Sequence, residues 1–203
     1  MLAALEGSPG SLADLVAVTG LSRATAHRLA TALEAHGLVR RTDEGQFALG
    51  LGLVARGRAA AASLPLAEAA GPVLARLRDA TGESVQLYVR EGDRRVCVAS
   101  LESPHGLRTI VPMGASLPLD VGSAGRVLRE ASAPAAPWVA SVEEREAGVA
   151  SVSAPVQAAD GRVVAAVSVS GPVERTTRDP GARYGDDVVA AARAVERAAG
   201  LHA

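Results

Sequence analysis

"GLSRATAHRLATALEAHGLVRR", Gly20 to Arg41, sets four arginines and two histidines against one acid, Glu34, in a chain whose formal net charge is −1. Upstream of it Leu12, Leu15 and Val16 recur at helical spacing. Past Thr19-Gly20 so do Ala26, Leu29, Ala30 and Leu33, the set expected to face a core. Ser11 and Ser22 stand where helix N-caps belong, Gly20 supplies the backbone freedom of a tight interhelical turn, and Gly37 suits a left-handed C-cap. Leu38 and Val39, a turn at Asp43-Glu44-Gly45 and then Gln46 to Leu49 read as a two-stranded ribbon. Helix, turn, helix and ribbon make a winged helix-turn-helix, expected over residues 1–50.

With Ala26, Leu29, Ala30 and Leu33 inward, Ser22, Arg23, Thr25, His27 and Arg28 occupy the exposed first turns of the second helix, the end that enters a DNA major groove. Arg23 or Arg28 can pair bidentately with guanine, while Thr25 and His27 reach base edges or phosphates. Arg40 and Arg41 then meet the DNA backbone beside the wing. An exposed basic helix can also serve solubility alone; the turn, caps and ribbon together favour DNA.

The rest of the composition bounds the alternatives. All 21 basic residues are arginine. Residues 1–62 carry six arginines and five acids, and residues 63–203 fifteen and seventeen, so neither part is a basic patch that binds nucleic acid by bulk charge. No apolar run is long enough to span a membrane and no signal-like start is present, so a cytoplasmic chain is expected. The lone Cys97 excludes a disulfide framework and a multi-thiolate zinc site within one chain. No metal or cofactor is expected.

"GLGLVARG" from Gly50 lacks the spacing and the parallel-strand unit of a nucleotide loop and reads as a linker helix, residues 51–64. From Pro65 to residue 203 the pattern is that of a second domain. A helix stopped by Gly82 comes first, then a hairpin around Glu91-Gly92-Asp93, a short strand in "LRTIVPMG" and a short helix in "GSAGRVLRE". A second hairpin turning at Asp160-Gly161 and a closing helix complete it. Helices against an antiparallel sheet describe an α+β ligand-sensing domain.

Four segments carry a resemblance to one family: "TGLSRATAHRLATALEAHGLV", "FALG", "GPVLARLRDATGESVQLYVREGDRRVCVA" and "REAGVASVSAPVQAADGRVVAAVSVSGPVERTTR". The chain resembles the IclR family of bacterial transcriptional regulators, most closely its actinobacterial NdgR-like branch, tied to amino-acid metabolism. The resemblance implies a winged-helix domain joined by a helix to a GAF-like effector domain. It implies a homodimer or homotetramer on a pseudo-palindromic double-stranded DNA operator, modulated by a small effector, an amino acid or organic acid. Carried over residue by residue, the effector site comprises Met113 and Gly114 in a loop, Gly122, Ser123 and Ala124 at the short helix, Ser151 and Ser153 on one strand, and Ser168 and Ser170 on its partner.

Each serine pair is two residues apart, so on a strand both hydroxyls share a face. The N–H groups near Gly122 to Ala124 are candidates to hold a carboxylate. Serines alternating with valine are equally ordinary sheet residues, and both readings stand at this stage. Family members run longer between "GSAGRVLRE" and Trp138, where this chain has only "ASAPAAP". Some place an acid where this chain has Ser141, which counts against a cationic ligand. A serine or cysteine hydrolase would need a positioned base, yet His27 and His36 fall in the expected DNA-binding helix, His105 in a polar loop and His202 at the terminus. The remaining alternative is a winged-helix regulator whose second domain makes protein contacts without sensing. The apolar faces of Leu51 to Leu64, with Leu2 and Leu5, are the expected seam between subunits.

Overall fold

The structure, a computed structural model, describes residues 1–62, 64–129 and 136–201. It divides into two compact units, residues 1–63 and 64–203.

In the first unit a 3-10 turn at Ala3–Leu5 precedes α1 (Leu12–Thr19), α2 (Arg23–Ala35), β1 (Val39–Arg41), β2 (Phe47–Leu49) and α3 (Gly52–Ala62). Ser11 and Asp14 form a reciprocal capping box: Asp14 N donates to Ser11 Oγ at 3.2 Å and Ser11 N to the Asp14 carboxylate at 2.8 Å. Gly20, at φ +67°, closes α1 by donating to Val16 O at 3.0 Å, the left-handed conformation that turns the chain into α2. β1 and β2 pair antiparallel, Arg40 opposite Ala48.

Leu5, Leu15, Ala30, Val39 and Phe47 form the core of this unit, with Leu2, Leu12 and Leu33 packed on it. Two expectations are corrected here. Leu29 is 43% exposed. The buried face of α2 is centred on Ala26 and Ala30, whose small side chains admit close packing, and at about 100° per residue Leu29 sits roughly 60° round from Ala26, on the flank. Leu5 is buried within the unit and Leu2 partly so, and they are not a free seam; Leu51 and Val54 remain exposed.

The second unit opens with α4 (Pro65–Thr81), ended by Gly82. It continues through β3 (Ser84–Glu91), β4 (Arg94–Leu101), β5 (Ser116–Pro118), α5 (Ser123–Arg129), β6 (Val139–Val142), β7 (Val149–Gln157), β8 (Val163–Pro172), α6 (Val173–Thr176) and α7 (Pro180–Ala198). One antiparallel sheet runs β5-β4-β3-β8-β7-β6. The expected strand in "LRTIVPMG" is not there: residues 107–114 are irregular and the strand that joins β4 is Ser116–Pro118. β6 was not anticipated. Most of the stretch between Glu130 and Trp138, expected to be short for the family, lies outside the described residues, at 130–135.

The two faces of this sheet differ in chemistry. Val85, Leu87, Val152, Ala154, Val156, Val167 and Val169 meet α4 and α7. The alternate positions Ser84, Gln86, Ser153, Ser168 and Ser170 are also buried, on the face that α5 covers. Trp138, just before β6, packs over Gly181 and Gly185 of α7, where any Cβ would collide with the indole ring.

Candidate functional site

The DNA-reading end lies at the start of α2. Ser22 caps it: Thr25 N donates to Ser22 Oγ at 3.2 Å, and the two hydroxyls lie 2.9 Å apart. The Ser22 and Thr25 hydroxyls therefore engage each other in the cap. Arg23, His27 and Arg28 are exposed, and among the described residues neither arginine has an ion-pair partner. Arg40 is exposed on β1. Arg41 is held within the wing: it donates to Gly45 O at 3.0 Å, lies 3.8 Å from Glu34 and stacks over Phe47 at 4.1 Å. Among the described residues the cations near α2 without an ion-pair partner are thus Arg23, Arg28 and Arg40.

In the second unit, a cavity on the polar face of the sheet is lined by Tyr88, Arg95, Val111, Gly122, Ser123, Ala124, Ser141, Arg145, Glu146, Val149, Ser151, Ser168 and Ser170. Its free space is about 30 Å³. Strand register assembles its floor, with Ser151 opposite Ser170, Ser153 opposite Ser168 and Ser141 opposite Ser151. Ser123 Oγ lies 2.7 Å from Ser151 Oγ and 2.8 Å from Ser153 Oγ; Ser141 and Ser151 hydroxyls are 3.0 Å apart. Ser153 donates to Ser168 at 2.9 Å, and Ser170 donates to Gln86 Oε1 at 3.0 Å.

Of the residues expected at an effector site, Gly122, Ser123, Ala124, Ser151, Ser168 and Ser170 line this cavity. Ser153 lies directly beneath, fully buried and bonded to two of them. Met113 and Gly114 do not line it. They form a turn in which Gly114 N donates to Cys97 O at 2.7 Å and the Met113 side chain is 57% exposed; Val111 reaches the cavity from that loop instead. The backbone donors expected to hold an anion are also partly engaged. Gly122 N donates to Glu144 at 3.0 Å and Ser123 N to Ser141 Oγ at 3.2 Å.

Sequence reasoning missed the group that dominates the cavity's electrostatics. Arg95 is 3% exposed, yet has no acid within ion-pair distance among the described residues. Nη1 donates to the carbonyls of Pro118 and Val121, the latter at 2.8 Å, the guanidinium lies 5.5 Å from the Tyr88 ring, and Nε has no partner. Burial, reinforced by the like charge of Arg145 and opposed by Tyr88 and the carboxylate of Asp120, holds its pKa below the ordinary arginine value. Gly125 makes room for it, since a Cβ there would stand 2.5 Å from Nη1. The signal was in the alternation: Arg95 is two residues from buried Cys97 and so shares its inward face.

Burial pushes the Cys97 thiol up to about 12, so it stays protonated, and none of His27, His36 and His105 lines the cavity. Among the described residues no group of His, Cys, Asp and Glu could hold a metal, and no helix is long and apolar enough to cross a membrane.

Residues 1–43 match the IclR helix-turn-helix domain, and residues 58–137 and 131–197 match the family described as bacterial transcriptional regulator IclR C-terminal. The chain belongs to the IclR family. Its members are transcriptional regulators rather than enzymes, so the winged helix is a DNA-binding domain. The chain is 27% identical to the HTH-type transcriptional repressor AllR of Escherichia coli over 233 residues, an alignment longer than the chain itself, covering 98% of it and 86% of AllR. It is 31% identical to the HTH-type transcriptional regulator KipR of Bacillus subtilis over 116 residues, 57% of this chain and 46% of KipR's length. In structure it is similar to an IclR homolog from Microbacterium hydrocarbonoxydans complexed with 4-hydroxybenzoate. The TM-score is 0.77 at 20% identity, covering 97% of this chain and 93% of the other, a likeness of fold. The two C-terminal matches overlap at residues 131–137.

Proposed function

We propose that this IclR-type regulator controls metabolic genes, those of amino-acid metabolism on its resemblance to the NdgR-like branch, and that a small carboxylate or amino acid entering the cavity of the second unit modulates it. The observation that carries this reading is the buried polar face: five serines linked hydroxyl to hydroxyl and a buried arginine with no ion-pair partner among the described residues, around one small cavity. A sheet face that only joined subunits would be more stable apolar, because a buried cation without an anion is costly. That a homolog of the same fold was crystallised with 4-hydroxybenzoate, itself a carboxylate, supports the chemistry.

DNA is read by Arg23 and Arg28 at the start of α2, with Ser22, Thr25 and His27 beside them and Arg40 and Arg41 along the wing. Two such heads in a homodimer or tetramer would match the half-sites of a pseudo-palindromic operator. Exposed Leu51 and Val54 on α3 are candidates for the pairing surface. An effector acts only by favouring one arrangement of the heads over another. The test maps the protein's genomic binding sites, then measures operator affinity with and without central amino acids and 2-oxo acids. If no acid shifts operator affinity, the domain makes protein contacts only.

A further inference from the structure

We infer that the cavity is built for a small acid with two anionic groups and no ammonium group, one carboxylate held deep by Arg95 and Ser168 and the other by Arg145 at the mouth. This rests on the effector reading above and narrows it.

The first argument counts protons. A serine hydroxyl has one proton to donate and two lone pairs. Ser153 gives its proton to Ser168, so in its contact with Ser123 it must accept. Ser123, having donated to Ser153, accepts from Ser151; Ser151 in turn accepts from Ser141, which accepts from the Ser123 N–H. The chain therefore runs one way, 141 to 151 to 123 to 153 to 168. Its last proton, on Ser168, has no acceptor among the described residues, and Ser168 lines the cavity. Hydrogen bonds in series polarise one another, so this terminal hydroxyl is a better donor than a lone serine.

The second argument counts charge. Among the described residues the other unsatisfied polar atom on a lining residue is Arg95 Nε, also a donor, on a cation that feels the charge of Asp120 but forms no ion pair with it. Arg145 brings a second positive charge to the lining; its side chain is 27% exposed, which puts it nearer the mouth than Arg95. Its ion pair is with Glu146, 3.5 Å away and 63% exposed, a solvated partner that an incoming carboxylate can replace. The lining holds one acid against these two cations, Glu146, and it is already paired with Arg145, so an ammonium, which only donates, would meet a net positive wall and donors lacking acceptors. An α-amino acid is therefore disfavoured.

The third argument is size. Free space of about 30 Å³ holds roughly two water-sized groups at about 10–15 Å³ each. That suits the two oxygens of one carboxylate, and leaves the remainder of the ligand to stand at the Arg145 end.

Calorimetry of the full chain with three acids of equal carbon number, malonate, propionate and alanine, tests this. Malonate is expected to bind about tenfold more tightly than propionate, and alanine more weakly than either. Arg145→Gln should bring malonate and propionate to within about twofold of each other, and Ser168→Ala should weaken malonate roughly fivefold with an unchanged circular dichroism spectrum. Propionate or alanine binding as tightly as malonate, or a malonate preference that survives Arg145→Gln, overturns the inference while leaving the effector reading standing. If none of the three acids binds, the inference falls; the effector reading falls with it only if the amino acids and 2-oxo acids of its own test also leave operator affinity unchanged.

Discussion

Among the described residues Arg28 and Arg95 both lack an ion-pair partner, and the surroundings give that fact opposite meanings. Arg28 sits on the open face of α2, where water solvates it and leaving it unpaired costs little. Arg95 is 3% exposed, and two carbonyls and the Tyr88 ring offset only part of the cost of burying its charge, which an anion would relieve further. The same unit shows what a satisfied buried charge looks like: Glu83, 1% exposed, receives both arms of Arg175 at 2.6 and 2.8 Å. An exposed lone cation reads a surface, a buried pair holds a fold, and a buried lone cation waits for a ligand.

Substitutions can break that contrast at each point. Arg175→Met should have the largest effect on stability, destabilising by roughly 3–5 kcal/mol in chemical denaturation, because it strands Glu83 as a buried, unpaired charge. Arg95→Met should do the opposite. Removing a buried charge that has no partner leaves the melting temperature equal or higher, while titration with malonate shows binding lost. A large drop in melting temperature would mean that the carbonyls of Pro118 and Val121 already satisfy Arg95, and the contrast with Glu83 would collapse.

Smaller effects belong to the exposed cations. Arg23→Ala and Arg28→Ala should each weaken operator binding by roughly 1–3 kcal/mol for a lost base contact, or lower the salt slope by about one for a lost phosphate contact, with folding intact. Fluorescence anisotropy on labelled operator measures both, and affinities equal to wild type would remove α2 from the interface. Smallest is the double variant Ser168→Ala/Ser170→Ala, where each hydroxyl contributes roughly 0.5–1.5 kcal/mol. It should bind operator normally without effector and lose the effector's shift of that affinity. A wild-type response would make both serines ordinary sheet residues.

Local signals carried most of the architecture. The caps at Ser11 and Ser22, the left-handed Gly20 and the hairpin turns at residues 91–93 and 160–161 act through neighbours in the chain, and the helices and hairpins appear where those signals put them. What failed depends on contacts distant in sequence. Leu29 has the right period for a core position, but the line of closest packing through Ala26 and Ala30 turns it outward. β5 and β6 are strands because β4 and β7 offer them an edge, not because of their own pattern. At the cavity, the same-face pairing of serines was legible from the spacing of two. The facing of Ser151 with Ser170 needed the register, and Met113 was lost to a turn that the loop pattern did not disclose. Arg95 was overlooked because a charged residue in a strand reads as an outward position until the alternation with Cys97 is followed.

Trp138, bedded on Gly181 and Gly185, is the single tryptophan of the chain. It stands next to β6, three residues before Ser141, whose hydroxyl starts the donor chain. The protein therefore carries its own optical probe at the shoulder of the cavity. Indole emission responds to small changes in packing and solvation, so a displacement of β6 as an acid enters would be visible in rapid mixing without any label. The time course would separate the filling of the cavity from the later release or capture of DNA.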